Sequence, residues 1–312
     1  MVSESQFSKE SRASIAVLLF IISAHIALLL PQTNQVTEVT QSYPATACPG
    51  PVSDAKTTLL LPNKSTAIRE VSRPKVALSK NGQGAYVARN GAILIAGNPT
   101  NSIALQSRAA KWTAAVSCTI SDSTQWFVGG TSNVTSQAKL ILVNSGLSDA
   151  IVDVTSFSEN GAAPEVAITV KPASEKVIRI DTLDPGASRV VIKVNTRSGR
   201  VTTYLLDERV KGLNNVGGDF VSPINQSSRE SVISALPIKF GEGSSVKHTL
   251  RLMTTSKVEA TANVEVISPD GVFIPVGLGS ISLNSQEVRD IDLNGIDLGK
   301  KAFALKVTSS EP

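Results

Sequence analysis

Histidine, cysteine, methionine and tryptophan each occur only twice in the 312 residues, and aromatic side chains make up 4% of the sequence. Each shortage excludes something. Neither Cys48 nor Cys118 belongs to a C-x-x-C pair and no histidine stands near either, which argues against a zinc site. Charged residues reach only 18%, and the formal net charge of +4 is spread over both signs. No Lys/Arg cluster is interleaved with aromatics, so no nucleic-acid partner is expected. From Lys56 onward no apolar pattern of helical period with caps is sustained. Beyond the first thirty residues one histidine remains, His248, and it has no G-x-S-x-G elbow to serve. The Gly-rich pieces VGGTS, NVGGDF and GLGS lack a phosphate-loop context. The chain is therefore expected to be no enzyme, with no catalytic residue and no cofactor.

One long apolar run is present. It extends from Ala13 to Leu30, behind Lys9 and Arg12. At 1.5 Å per residue it reaches about 27 Å, enough to cross a hydrocarbon core as a helix. Basic residues on the N-terminal flank place that end in the cytoplasm and the remainder outside. This predicts a single-pass plasma-membrane protein held in the membrane through residues 13–31. A cleaved signal peptide and secretion are the alternative, but no A-x-A site follows Leu30. His25, inside the run, is read as a neutral residue of a lone anchor. Outside the cytoplasm, a disulfide between Cys48 and Cys118 is the natural reading, with two separate buried thiols as its rival. Closing a loop of 70 residues would stabilise the fold by about 4 kcal/mol.

The rest is rich in Val, Ile, Ser and Thr. Short candidate strands (KTTLLLP, KVALS, GAYVAR, GAILIAG, SIALQS, KWTAAVSCTI, QWFVGG) alternate with Gly, Pro and Asn turns, so the chain is expected to be all-β. An internal repeat organises its second half. KLILVNSGLSDAIVDVTSFSENG at 139–161 aligns with TLRLMTTSKVEATANVEVISPDG at 249–271, matching Leu140 to Leu250 and Val154 to Val264. SEKVIRID at 174–181 then matches SQEVRDID at 285–292, and VIKV ending at Val194 matches ALKV ending at Val307. The offset drifts from 110 to 111 to 113, as changes in turn length would produce. About a hundred residues of short alternating strands per copy is the size of an immunoglobulin-like sandwich. The first copy continues past Val194 into VTTYLL; the second stops soon after Val307, which leaves a sheet edge to be covered locally or by added strand.

RDIDLNGIDLGKK is the one stretch that imitates a ligand site. Asp290, Asp292, Asn294 and Gly295 fall at positions 1, 3, 5 and 6 of a calcium loop, with Asp297 following. Lys301 stands where a bidentate Glu should close it. Asp290, Asp292 and Asn294 are therefore weak metal candidates, read first as a strand running into a turn. Trp112 and Trp126, with Tyr204, are the aromatics on which a sugar ring could stack. The plainer expectation is that Trp126 anchors a sandwich core. Asn63, Asn133 and Asn225 fit the glycosylation sequon, as chance allows in so Asn- and Ser-rich a chain.

Three features then combine: the ACPGP stretch after the anchor, KWTAAVSC leading to QWFVGG, and paired LxLxN…AxVxV…G segments. In these the sequence resembles the actinobacterial membrane-anchored or secreted proteins grouped as domain of unknown function 5719. The resemblance implies location and architecture and carries over no catalytic residue; the early stop of the second module departs from that family's pattern. The expected organisation is a cytoplasmic tail at 1–12, an anchor at 13–31 and a stalk at 32–54. An N-terminal β region at 55–122 and two β-sandwich modules at 123–212 and 213–312 follow. The function expected is that of a non-enzymatic cell-envelope protein with a structural or protein-interaction role. A module binding glycan or cell-wall polymer is the alternative, and an unmarked hydrolase stands third.

Overall fold

A computed structural model describes residues 45–52, 54–62, 66–97, 101–109, 111–237, 246–294 and 302–312. The expected tail, anchor and most of the stalk lie outside these residues. Among the described residues no helix is long and apolar enough to cross a membrane. The described chain is all-β, interrupted by one short 3₁₀ turn at Ile180–Thr182.

The N-terminal region comprises β1 (Ala45–Cys48), β2 (Lys56–Leu60), β3 (Ala67–Glu70), β4 (Ser79–Lys80) and β5 (Ala85–Ala88). Its remaining strands are β6 (Ile93–Ala96), β7 (Ile103–Arg108), β8 (Trp112–Ser117) and β9 (Thr119–Ile120). They form two sheets, in the orders β4-β3-β6-β1-β9 and β5-β2-β7-β8. Leu59, Ile68, Ile93, Ile95 and Ala104 pack between them. The Cys48–Cys118 disulfide is present, tying β1 to the point where the chain passes from β8 in one sheet to β9 in the other. β1 lies within the segment expected to be stalk. Its four small residues are too brief a run to announce a strand, yet pairing with β6 and β9 buries it.

The first module contains β10 (Thr124–Val128), β11 (Lys139–Asn144), β12 (Ala150–Ser158), β13 (Gly161–Ala162) and β14 (Val166–Val170). β15 (Ser174–Arg179), β16 (Val190–Ser198), β17 (Val201–Lys211), β18 (Asn214–Val221) and β19 (Pro223–Ile224) complete it. One sheet runs β13-β12-β16-β10-β19, with β14 also on β12; the other runs β15-β11-β17-β18. Phe127, Leu140, Leu142, Val152, Ile192 and Leu205 fill the space between. The stretch VKGLNNVGGDFVSPINQSS, most of which was expected to open the second module, is a hairpin and a short strand folding back on this module. β18 pairs with β17 and β19 with β10, so the boundary lies beyond Ile224 rather than at 212. Its Gly and Asn content resembles a linker because the β17–β18 turn needs it: Gly212 has φ +60°.

The second module contains β20 (Glu230–Leu236), β21 (Thr249–Leu252), β22 (Ala260–Ser268), β23 (Gly271–Phe273), β24 (Ile281–Leu283), β25 (Arg289–Asp292) and β26 (Phe303–Ser309). Each of its pairings has a counterpart in the first module, though those of β17, β18 and β19 are not repeated among the described residues. β20 pairs with β26 as β10 with β16, β21 with β25 as β11 with β15, and β22 takes β23, β24 and β26 as β12 takes β13, β14 and β16. The registers also refine the sequence alignment. Ser158 faces Gly161 as Ser268 faces Gly271, an offset of 110; Ala150 faces Val170 as Ala260 faces Leu283, and Leu140 faces Ile178 as Leu250 faces Ile291, with the second member of each pair offset by 113. The change comes in one place, the connection from β23 to β24, and not as a gradual drift.

Candidate functional site

Strand β11 shows why the first module is not free-standing. Leu140 and Leu142 face the module's own core, while Ile141 and Val143 on the opposite face are equally buried. With Tyr204 and Leu206 of β17 they pack against Ala47, Leu94, Trp112 and Ala114 of the N-terminal region. A strand covered on both faces reads as a continuous apolar run, and LILV is one. The equivalent outer residues of the second module are Arg251 and Met253, so that face is built for another environment.

The CPGP stretch is the keystone of this contact. Cys48 carries the disulfide, and Gly50 donates its N–H to Glu175 Oε2 at 2.8 Å on β15. The Gly50 carbonyl accepts from Gln106 Nε2 at 2.6 Å on β7. A side chain at residue 50 would collide with backbone, since a Cβ there would lie 2.3 Å from the carbonyl carbon of Gly91. Beside it Tyr204 Oη donates to the Ala47 carbonyl at 2.5 Å and accepts from Thr119 N–H at 3.1 Å. Burial pushes the Tyr204 phenol up to about 12.

Glu175 as a residue is only half-buried, but its carboxylate is packed against the Gly50 loop, and loss of hydration pushes it up to about 7. The Gly50 hydrogen bond opposes this and does not cancel it. Because the folded-state value lies above the ordinary 4.5, the folded chain holds an extra proton between the two. Glu175 therefore favours folding most below about pH 4.5, and that benefit disappears as pH rises through 7. Glu175→Gln keeps an acceptor for Gly50 and removes the charge. Thermal melts from pH 4 to 9 should show the variant gaining on the parent as pH climbs through 7. A difference between the two that is flat with pH would refute the assignment.

Glu208 is the most heavily engaged group. Its fully covered carboxylate accepts from Lys139 Nζ at 2.7 Å, Trp112 Nε1 at 3.3 Å, Arg108 Nη1 and Asn215 Nδ2. Burial alone would raise its pKa; the hydrogen bond and charge of Lys139, aided by Arg108 and Trp112, outweigh that and hold it below the ordinary range. Arg108 also reaches Asp54 at 3.2 Å. The residues come from β7, β8, β11, β17 and β18, so the cluster is a clamp between the N-terminal region and the first module. Sequence reading missed it, although Glu208 continues the face of β17 that carries Tyr204 and Leu206.

Of the sugar platforms considered, Trp112 and Tyr204 are closed and Trp126 is half-buried. Trp112 is 8% exposed, bonded to Glu208, and so close to Gly218 that a Cβ there would lie 2.9 Å from the indole. Tyr204 is buried beside it. Trp126 points away from its module's core, which Phe127 fills instead: adjacent strand residues face opposite sides. It packs on Phe157 at 5.6 Å between ring centroids and lies under the Lys193 ammonium at 5.2 Å.

The described part of the acidic run is engaged by protein groups. Asp290 grips Arg251 with both oxygens, at 2.7 and 2.8 Å, and Arg251 donates onward to the carbonyls of Gly130 (2.5 Å) and Val190 (3.1 Å) in the first module. Val288 completes that junction, buried against Phe157 and Val191. Asp292 Oδ1 accepts the Asn294 N–H at 2.9 Å, which makes the predicted turn. Gly295, Asp297 and Lys301 lie outside the described residues. Among those described, no group of three His, Cys, Asp or Glu residues could hold a metal ion. His248 Nε2 bonds the Pro237 carbonyl at 2.8 Å, and its ring meets Phe303 edge-on. Asn133 lies in an exposed Asx turn, Asn225 is exposed, and Asn63 is outside the described residues.

The modules differ at one edge. β11 is paired on both sides, by β15 and by β17; β21 is paired by β25 and, among the described residues, has no strand on its other side. Leu142 is fully buried, whereas its counterpart Leu252 is only half-buried.

A model of a family of unknown function, DUF5719, matches residues 97–312, more than half of the chain. No curated protein matches it. The crystal structure of Thermotoga maritima 1070 aligns at 17% identity over 34% of this chain and 98% of that one; its TM-score of 0.30 supports no argument.

Proposed function

We propose, on the premise that the chain belongs to the family of unknown function DUF5719, that it is a non-enzymatic extracytoplasmic protein of the cell envelope. Residues 13–31 anchor it in the plasma membrane with the N-terminus in the cytoplasm. Tandem immunoglobulin-like β-sandwiches form a scaffold that offers a sheet edge to a protein partner. The observation that carries this reading is where the buried polar chemistry is spent. Glu208, through Arg108 and Trp112, Glu175 and Arg251 all bind one part of the scaffold to another. A disulfide tying β1 to a crossover fits an oxidising compartment. The repeat of seven strands and their pairings, about a hundred residues per copy, supports the immunoglobulin-like assignment. The glycan alternative is less well supported, since Trp112 is enclosed and the half-buried Trp126 already has the Lys193 ammonium over its ring.

Protease treatment of intact cells carrying a C-terminally tagged chain tests the location. The tag is expected to disappear without lysis, with the two cysteines oxidised beforehand. Full protection of the tag until lysis would overturn the reading.

A further inference from the structure

Glu175 is a grip that the first module has on the strand carrying the disulfide. Its carboxylate accepts the Gly50 N–H at 2.8 Å, two residues beyond Cys48. Every residue from Thr46 to Gly50 is buried, Cys48 completely, and Cys118 is 8% exposed. A reductant therefore reaches the bond freely only when this stretch moves. Water lies close to the grip. β15 is an end strand of its sheet, and Val177, two residues on and on the same face as Glu175, is 43% exposed. A change of rotamer carries the carboxylate from the seam into solvent and leaves Gly50 without its acceptor.

We propose that Glu175 is a pH-sensitive latch on this loop: protonated, it keeps the Cys48–Cys118 bond from reductants, and ionised, it leaves the seam and admits them. The groups around it leave the decision to burial. β11 sets Val143 opposite Glu175, and β7 offers the same loop Gln106, which is uncharged. Tyr204 of β17 is the titratable group it acts on, and that phenol, pushed up to about 12, stays neutral throughout. Further along the loop Asp54 pairs with Arg108 at 3.2 Å, and Lys56 is exposed. In the seam the carboxyl is held up at about 7, and in water it returns to the ordinary 4.5. Below 4.5 both positions are protonated and the latch is shut most firmly. Between the two values each rise in pH favours the outward, ionised form; above 7 the effect levels off.

The full chain and its Glu175→Gln variant are reduced side by side with a water-soluble trialkylphosphine between about pH 5 and 8. Phosphorus attacks one sulfur, the other leaves as a thiolate and takes a proton, and water then yields phosphine oxide and the second thiol. Freed thiols are counted by alkylation and mass. Gln keeps an acceptor for Gly50 and does not titrate, so the ratio of the two rates cancels the reagent's own pH dependence. That ratio is expected to rise about tenfold or more from pH 5 to 7 and to level off above. In the parent alone, protection of the Gly50 N–H against hydrogen exchange should fall over the same range while the amides of β16 keep theirs. A ratio flat with pH, or undiminished Gly50 protection, would overturn the latch. So would a reduction rate that climbs steeply with low denaturant, since the bond would then be reached through global unfolding. A flat ratio beside melts that do shift with pH would confine Glu175 to overall stability, and the latch would be lost with it.

Discussion

Glu208→Ala is expected to destabilise the protein by about 3–5 kcal/mol, the cost of removing one partner from a buried ion cluster. The carboxylate is fully covered, and the cations it serves are nearly so: the side chain of Lys139 is 12% exposed and that of Arg108 19%. Truncation leaves two positive charges facing one another across a crevice with little water to screen them. Trp112 and Asn215 lose their acceptor at the same time. At roughly 2–4 °C per kcal/mol for a chain of this size, the melting temperature should fall by about 10 °C. Glu208→Ala combined with Lys139→Met should recover part of the loss, because one stranded charge is gone; strict additivity would show that the groups do not interact. The pH dependence follows from the depressed carboxyl. Its contribution is present above the ordinary 4.5 and is lost as pH falls below that value, the reverse of Glu175. A Glu208→Ala chain that melts with its parent at pH 7 would rule out the clamp.

Reducing the disulfide, or replacing Cys48 and Cys118 by Ser, is expected to cost about 4 kcal/mol, from the chain entropy of a loop spanning 70 residues. The effect should not stay local. β1, which Cys48 terminates, also carries Ala47, whose carbonyl takes the Tyr204 hydroxyl, and Gly50 follows with its bonds to Glu175 and Gln106. Loosening β1 therefore weakens the seam with the first module as well as the N-terminal core. Denaturant titration with and without reductant should shift the midpoint downward in the reduced protein, and tyrosine signals from Tyr204 should follow that same transition. An unchanged midpoint would mean that the seam holds without the bond.

The repeat was legible in the sequence because each copy must bury one face of the same strands, and a period of two records that need directly. LILV was also legible as strand, but its second buried face depends on a surface distant in sequence. The hairpin of β17 and β18 straddles the boundary expected at 212, because Asn and Gly serve tight turns and module junctions alike. The stalk was drawn too long because a strand of four small residues gains its identity only from the neighbours that pair with it. Among candidate residues, the cysteine pair was found by elimination. Glu208, Glu175 and Gln106 were not found, since a buried polar residue resembles an exposed one until its partners are known.

What the sequence by itself determined is strand content, the double use of one scaffold, and the weakness of the acidic run as a metal loop. Those follow from local alternation and from residue types at fixed spacing. Only tertiary structure decided which polar groups are buried, that Trp112 is enclosed, and that Trp126 packs on Phe157. These are statements about pairs of residues about 30 to 160 positions apart, and desolvation, which gives such pairs their weight, is a property of the packed molecule rather than of any segment.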